Sequence, residues 1–382
     1  MRTVVDFKQF INESIITDMV LPQDVLDISE IYKAADKKLY VVGGAVRDFL
    51  LGKKPKDFDL ATDATPDESI EILSDHYKIV EVGKAFGVIK IMTEDEPEGY
   101  ELATFREDVG SGRRPDGVTF TSIDKDVLRR DLTVNALFYD IELKKIVDLV
   151  GGIDDLNKGI VRTVGKAKER FDEDPLRRLR AVRFASKLGS RMDPDLHSSL
   201  KKDSSISGVS PERIRDEFLK ILKSAKDVKK SVEMMDDYGL LEQIFPGLLI
   251  HVDRVSDFPF ATVALILRGN PAEKVSRGLN KLTWTDDEIK KISFLISLQG
   301  INPESAYDLK KMEKIAKFYY LDEIEDFAKK AGIDPVLIKA FLKYIPRVSS
   351  QELMDLGFSG QDLGKEIKRR EAKSFLQLLG DI

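Results

Sequence analysis

The chain has 382 residues, 42% hydrophobic and 34% charged. That is too long for one compact core and too apolar for a disordered chain, so two or more folded domains are predicted. Its 61 basic and 67 acidic side chains leave a net charge of -6, which excludes a global positive field, so any polyanion must find a local basic patch. Cysteine is absent and the three histidines, His76, His197 and His251, are scattered. A disulfide scaffold, a thiolate zinc site and a histidine cage are excluded, and metal chemistry falls to carboxylates. No apolar run approaches the roughly 20 residues of a membrane-crossing helix. The opening MRTVVDFKQFINES lacks a basic segment followed by an apolar one, so a cytoplasmic protein with no membrane partner is expected.

In chain order, residues 1–36 carry one amphipathic pattern followed by PQDVLDISEIY, which predicts a helical extension. From Leu39 the texture changes to short β-rich stretches, LYVV, FDLAT, YKIVEV, GVIKIM, YELATF, ALFYD and KKIVDL, interleaved with the helical AVRDFLLG and PDESIEIL. These predict a small α/β domain over residues 37–150. From about Phe171 the pattern is 3.6-periodic to the end, as in DPLRRLRAVRFASKL and PERIRDEFLKILKS. The expected fold is therefore α+β, with an α/β head followed by an all-helical region to the end of the chain.

The segment LYVVGGAVRDFLLG reads as strand, glycine turn and helix. Gly43 and Gly44 would let backbone N–H groups approach an anion, and Arg47, one turn in, has a fork suited to phosphate oxygens. A tight turn with a surface arginine reads the same way in isolation. Next comes KDFDLAT, where alternation along a strand puts Asp57 and Asp59 on one face and Phe58 on the other. Two adjacent anions repel, an arrangement that suits a divalent cation such as Mg²⁺ shared with substrate phosphates. Glu101 in YELATFR has the same strand character and is the candidate third carboxylate. Its alternative is an edge-strand surface glutamate. Three such acids could hold the metal ions that clamp an in-line phosphoryl displacement.

In EDPLRRLRAVRF, proline preceded by acids marks a helix start, with Glu173 and Asp174 at its N-terminal end. Asp174 and Arg177, three apart, share a face and could present an acceptor beside a donor. Cytosine and adenine both show an amino donor next to a ring-nitrogen acceptor, whereas guanine and uracil show the reverse. Such a pair would accept C and A. An ordinary helix salt bridge has the same spacing. Three further residues on and again, Arg180 and Arg183 rotate away from Asp174, so they are expected to meet phosphate or to brace Asp174. Lys310, Lys314 and Lys317 on one helix face, and KEIKRREAK at 365–373, are candidate basic tracks for a polyanion, and a solvated helix face has the same pattern.

GGAVRDFLLG with DFDLAT, then RRDLTVNAL, DLVGGIDDL and EDPLRRLRAVRFASKL, in that order across 43–188, resembles the class II tRNA nucleotidyltransferase and bacterial poly(A) polymerase family. SPERIRDEFLKIL and MDDYGLLEQIFPGL extend the likeness to about 247. The resemblance implies a head (37–150), a neck that selects the base (151–205), a body (206–290) and a tRNA-binding tail (291–382). It implies that Gly43, Gly44 and Arg47 contact nucleotide phosphates, that Asp57, Asp59 and Glu101 are catalytic and carry Mg²⁺, and that Arg130, Asp131 and Asn135 surround the sugar. It also implies that Asp174 and Arg177 read the base, with Arg180 and Arg183 nearby. The expected reaction is template-independent addition of CCA to the tRNA 3' end from CTP and ATP with release of pyrophosphate. The full-length glycine-rich stretch 108–120 favours complete CCA addition over a partial CC- or A-adding activity. VGKAFGVIKIM lacks the histidine-containing basic stretch of the poly(A) branch. A catalytically inactive tRNA-binding protein is the alternative of another class.

Overall fold

The computed structural model describes residues 15–16, 18–109, 117–317 and 321–382. Its contacts divide the chain into two units. One runs to Ala185 and adds Ser190–Asp203, and the other takes Ser186–Gly189 and Ser204–Ile382.

The first unit is built on β1 (Ile15–Ile16), β2 (Leu39–Val42), β3 (Asp59–Thr62), β4 (Lys78–Gly83), β5 (Val88–Met92), β6 (Tyr100–Thr104), β9 (Leu137–Asp140) and β10 (Lys145–Asp148). They form one eight-stranded sheet in the order β1-β10-β9-β2-β3-β6-β5-β4. Only the β3–β6 pairing is parallel within this sheet, with Leu60 opposite Leu102. β2 lies inside the sheet and is buried along its whole length, which is why it reads as the continuous apolar run LYVV. β4 is an edge strand, and Lys78 and Glu81 keep it charged.

One sheet face carries Leu39, Val41, Leu60, Ile89, Ile91, Leu102 and Tyr139 against helices α1 (Gln23–Ala34), α2 (Gly44–Leu50) and α3 (Pro66–Leu73). α3 starts on a capping box. Thr65 accepts the Glu68 N–H and Glu68 accepts the Thr65 N–H, with Pro66 in the first turn, a device worth about 1 kcal/mol. The other face carries Tyr40, Val42, Ala61 and Phe138 beneath Phe105, Ile123, Val127, Ala136 and Val164.

Two expectations change, and a hairpin is added. Within 1–36, the expected helix is α1, but it is no appendage, because Val25, Ile28 and Tyr32 are fully buried in the head core. β1 adds a strand there, and residues 1–14 and 17 lie outside the described residues. The glycine-rich stretch begins and ends as a hairpin of β7 (Arg106–Val109) and β8 (Gly117–Phe120), while 110–116 lie outside the described residues. The region after the head is not purely helical, since β11 (Ile160–Val161) pairs in parallel with β12 (Arg191–Met192).

α4 (Ile123–Asp126) precedes the RRDLTVN segment, and α5 (Gly152–Asn157) braces it. The Asp148 carboxylate accepts the N–H groups of Val150, Gly151, Gly152 and Ile153 at 2.8–3.1 Å, so the DLVGGIDDL motif is a helix-start clamp. Gly152 sits against the Thr133 carbonyl, and a Cβ built there would lie 2.8 Å from the Thr133 carbonyl carbon. Thr133 Oγ1 also donates to Asp155 at 2.7 Å. α6 (Ala167–Glu173), α7 (Arg177–Leu188) and α8 (Pro194–Lys202) follow.

The second unit is helical from α9 (Pro211–Ser224) to the last helix, Gly360–Gly380. Phe218 meets Phe245 edge-on at 5.4 Å, and Tyr344 meets Phe375 edge-on at 5.2 Å. Buried Glu371 accepts Tyr344 Oη at 2.6 Å and the N–H groups of Arg347 and Val348, fixing that connection to the final helix. Among the described residues no helix is long and apolar enough to cross a membrane.

Because the clash at Gly152 is with backbone, Gly152→Ala should lower unfolding free energy by about 1–3 kcal/mol. Urea denaturation of the variant against wild type checks this, and an unchanged midpoint would contradict the contact.

Candidate functional site

The turn between β2 and α2 is held by Gly43, whose φ of +69° favours glycine and whose N–H donates to Leu137 O at 2.9 Å. Gly44 opens α2. Arg47 is not a surface arginine. It is buried, donates to Asn135 Oδ1 and to Asp48 Oδ1 at 2.9 Å, and its guanidinium lies 5.1 Å from the Phe184 ring centre. The fork expected on phosphate is occupied by protein groups.

Asp59 is the first residue of β3, and Asp57 precedes the strand rather than lying in it. Phe58 packs against the core on the helix-covered side, so the expected separation of the aromatic from the acids holds for Asp59. Glu101 is on β6, two strands inward from the sheet edge, which removes the edge-strand alternative. The parallel register of Leu60 with Leu102 sets Asp59 level with Glu101. Asp59 is exposed as a residue, yet its carboxyl is pushed above the ordinary value, first by desolvation, then by the anions of Glu101 and Asp57, with Arg130 opposing. Mutually repelling carboxylates are the oxygen-donor chemistry that a hard divalent cation takes. Among the described residues, no three acidic or histidine side chains already stand together in ligating positions.

Near these acids lies a network of paired, partly buried cations. Arg130 pairs with Asp126 at 3.0 Å and lies 4.5 Å over the Phe138 ring. Burial pushes its guanidinium below the usual value, while Asp126 works the other way. Asp131 receives Arg180 Nε at 2.7 Å, the Leu132 N–H at 2.8 Å and Asn135 Nδ2 at 3.5 Å. Burial raises the Asp131 carboxyl, and the Arg180 charge and hydrogen bond outweigh it, leaving it below the ordinary carboxylate range. Arg180 therefore braces Asp131. Arg183 stacks 4.2 Å over Phe184.

The EDPLRR segment is a junction of two helices. Glu173 ends α6 and Asp174 caps it, so Glu173 is not at the start of α7 as expected. The Asp174 carboxylate accepts the Leu176 N–H at 3.2 Å. Arg177 pairs with Glu173 at 2.6 Å and donates to Arg129 O at 3.1 Å. Asp174 and Arg177 thus share one junction, but the Arg177 ion pair is with Glu173.

Two residues escaped the sequence reading. Asp126, buried, accepts the Arg106 N–H at 3.2 Å, Arg129 at 2.8 Å and Arg130 at 3.1 Å. Its three- and four-residue spacing to Arg129 and Arg130 was the available signal. Phe184, the ring beneath Arg47, Arg180 and Arg183, has no signal of its own in the sequence. The basic tracks are largely paired. Lys310 is held by Glu313 at 2.7 Å and lies 4.4 Å over Phe341. Arg369 and Arg370 both take Glu366, and Lys368 takes Asp308.

Residues 39–162 match the family described as the Poly A polymerase head domain, and residues 191–250 match the probable RNA and SrmB-binding site of polymerase A. A CCA-adding enzyme of Bacillus velezensis is 32% identical over 355 residues, covering 89% of this chain and 87% of that one. Poly(A) polymerase I of Escherichia coli O6:H1 is 34% identical over 64% of this chain and 54% of its own length. The crystal structure of the Bacillus stearothermophilus CCA-adding enzyme in complex with CTP shares the fold, with a TM-score of 0.69, 24% identity and coverage of 95% of this chain and 94% of that one. The head and its sequence matches make the protein a nucleotidyltransferase. The chain belongs to the tRNA nucleotidyltransferase and poly(A) polymerase family.

Removing the shared acid should expose the cost of the cation network. Asp126→Asn leaves Arg129 and Arg130 without their anion, and unfolding free energy should fall by about 3–5 kcal/mol. Calorimetry or denaturant titration reads it, and a loss under about 1 kcal/mol would mean that the two guanidiniums find other partners.

Proposed function

We propose that this protein adds or repairs the 3'-terminal CCA of tRNA, using CTP and ATP and no nucleic-acid template, in the cytoplasm. The observation that carries this reading is the extent of the likeness. The Bacillus velezensis CCA-adding enzyme aligns over nearly the whole of both chains, whereas the poly(A) polymerase aligns over about half of its own length. Poly(A) synthesis remains the second reading because that partial likeness is equally high in identity.

In this reading the 3'-hydroxyl of the RNA attacks the α-phosphorus of the incoming nucleotide in line. The new P–O bond forms as the bond to the bridging oxygen breaks, and pyrophosphate leaves. Asp57, Asp59 and Glu101 would hold Mg²⁺, which stabilises the charge that builds on the attacking and leaving oxygens. The upward push on Asp59 from the other two acids supports that assignment. The turn at Gly43 and Gly44 lies beside the triphosphate, and Arg47 fixes Asn135 next to it. Arg130, Asp131 and Asn135 surround the ribose, where an acceptor and an amide can read a hydroxyl that deoxyribose lacks.

Asp174 and Arg177 select C and A by their pairing edges, Arg180 holds Asp131, and Arg183 lines the same helix. The attachment of Arg177 to Arg129 O supports this, because it fixes the base-selecting junction to the segment that carries the sugar contacts. The division into head, neck, body and tail belongs to the same proposal, with the tail gripping tRNA by shape and backbone phosphate.

The deciding assay supplies tRNA truncated before its CCA, Mg²⁺, and CTP and ATP singly and together. Two C and one A added with arrest supports the reading, a long A-tail replaces it with poly(A) synthesis, and no addition points to a binding protein. Asp57→Ala should lower the rate at least about 100-fold, the scale on which lost charge stabilisation is felt, with tRNA affinity little changed. Arg177→Ala should admit UTP or GTP before turnover is lost, which competition between nucleotides measures.

A further inference from the structure

The acid of the RRDLTVN segment is held at both of its oxygens. Asp131 Oδ1 accepts the Leu132 N–H at 2.8 Å, and Oδ2 accepts the Arg180 Nε–H at 2.7 Å, with Nη2 of the same guanidinium 2.5 Å away. The backbone beneath is fixed as well, since Asp131 O accepts the Val164 N–H at 3.1 Å. The last torsion of an aspartate is broad, so one hydrogen bond does not set the plane of its carboxylate. The Leu132 N–H alone would leave that rotation open, and Arg180 closes it. A carboxylate can take about four hydrogen bonds. Oδ2 is occupied by the guanidinium, whereas the other side-chain contact on Oδ1, from Asn135 Nδ2, is 3.5 Å long. Oδ1 therefore keeps an acceptor position that a stronger donor can take.

Arg180 is carried on a helix seated in the core, because Leu179, Ala181 and Val182 beside it are buried. Its guanidinium lies 5.8 Å from the Phe184 ring centre. Three residues earlier, on the same side of α7, Arg177 donates to Arg129 O at 3.1 Å. One helix thus grips this short segment twice, at the backbone of Arg129 and at the carboxylate of Asp131.

We propose that Arg180 is the positioning residue that makes the site prefer ribonucleotides to deoxyribonucleotides, acting through Asp131. This rests on the sugar contact proposed above for Asp131, and adds a residue that need not touch the sugar. A 2'-hydroxyl can donate to Oδ1, and a deoxyribose leaves that oxygen without the donor. The difference counts only while the carboxylate is locked in the orientation that meets the hydroxyl. A loosened Asp131 turns to water and treats the two sugars alike. Nε and Nη2 of Arg180, spent on Asp131, are not available to a phosphate.

The test measures binding of CTP and dCTP to the full-length protein by calorimetry, with Mg²⁺ and without RNA. Wild type should favour CTP. Arg180→Met should shrink that preference at least about tenfold, through weaker CTP binding with dCTP little changed, and the preference for CTP over UTP should stay. Arg180→Lys keeps the charge but cannot offer two N–H groups from one planar fork, so it should stay folded and still lose most of the preference. In an Asp131→Asn background, Arg180→Met should cost nothing further in the CTP to dCTP ratio, as expected of a residue that acts through another. The proposal is overturned if wild type binds the two nucleotides alike, if either Arg180 variant weakens both equally or leaves the ratio unchanged, if the double variant loses as much again, or if the preference over UTP falls in step. A preference for CTP over dCTP with no addition to tRNA sinks the reaction and leaves the sugar device standing. Addition of CCA with dCTP used as readily as CTP sinks the device alone.

Discussion

A guanidinium taken out of water must find acceptors, and that requirement organises the first unit. Arg47 is met by Asn135 and Asp48, Asn135 by Asp131, and Asp131 by Arg180, with Phe184 beneath both arginines. This chain of partners joins the glycine turn after β2, the RRDLTVN segment and α7. Apolar burial of Leu132, Val134, Leu179 and Val182 seats the latter two segments, and the polar chain sets how their charged groups meet. The depressed carboxyl of Asp131 gives the linkage a sign. Its stabilising share is fully present above the ordinary carboxylate pKa and is lost as pH falls through the lower folded-state value.

The same requirement explains where the sequence was legible and where it was not. The strands LYVV, FDLAT, GVIKIM and YELATF were readable because alternation and apolar runs are local, and each became a sheet strand. β1 and β12 are only two residues each and depend on partners far along the chain. Nothing local marks them. α1 looked like an appendage since its amphipathic stripe says only that something covers it, and the cover turned out to be the head core.

At the site, residue types were legible and partners were not. Arg47, Arg130, Arg177 and Arg180 were each singled out, and each is indeed within a linked cluster. Their protein partners are not legible in the sequence, because a backbone carbonyl such as Arg129 O, or a lone buried acid such as Asp126, has no distinctive sequence signature. Arg178 shows the same limit from the other side. It sits among the singled-out arginines of α7, yet it is buried against Phe171 and paired with Asp203 at 2.7 Å, a purely structural assignment.

The helical unit adds the electrostatic counterpart. Helical periodicity gathers cations on one face at spacings of three and four, and it gathers acids on the same face by the same geometry. KEIKRREAK therefore looks like a basic track, but Glu366 lies between Arg369 and Arg370 and draws both. Glu366 is itself held well below its ordinary value by those two hydrogen bonds, at about 2. A face arranged this way keeps an excess of cations over acids in residues 365–373, but Arg369, Arg370 and Lys368 already have carboxylate partners. Contacts from such a face act over hydrogen-bonding distance rather than through a long-range field, since a paired cation presents a dipole to an approaching phosphate. Shape must therefore contribute to any grip on RNA by this unit, because pairing shortens the reach of its charge.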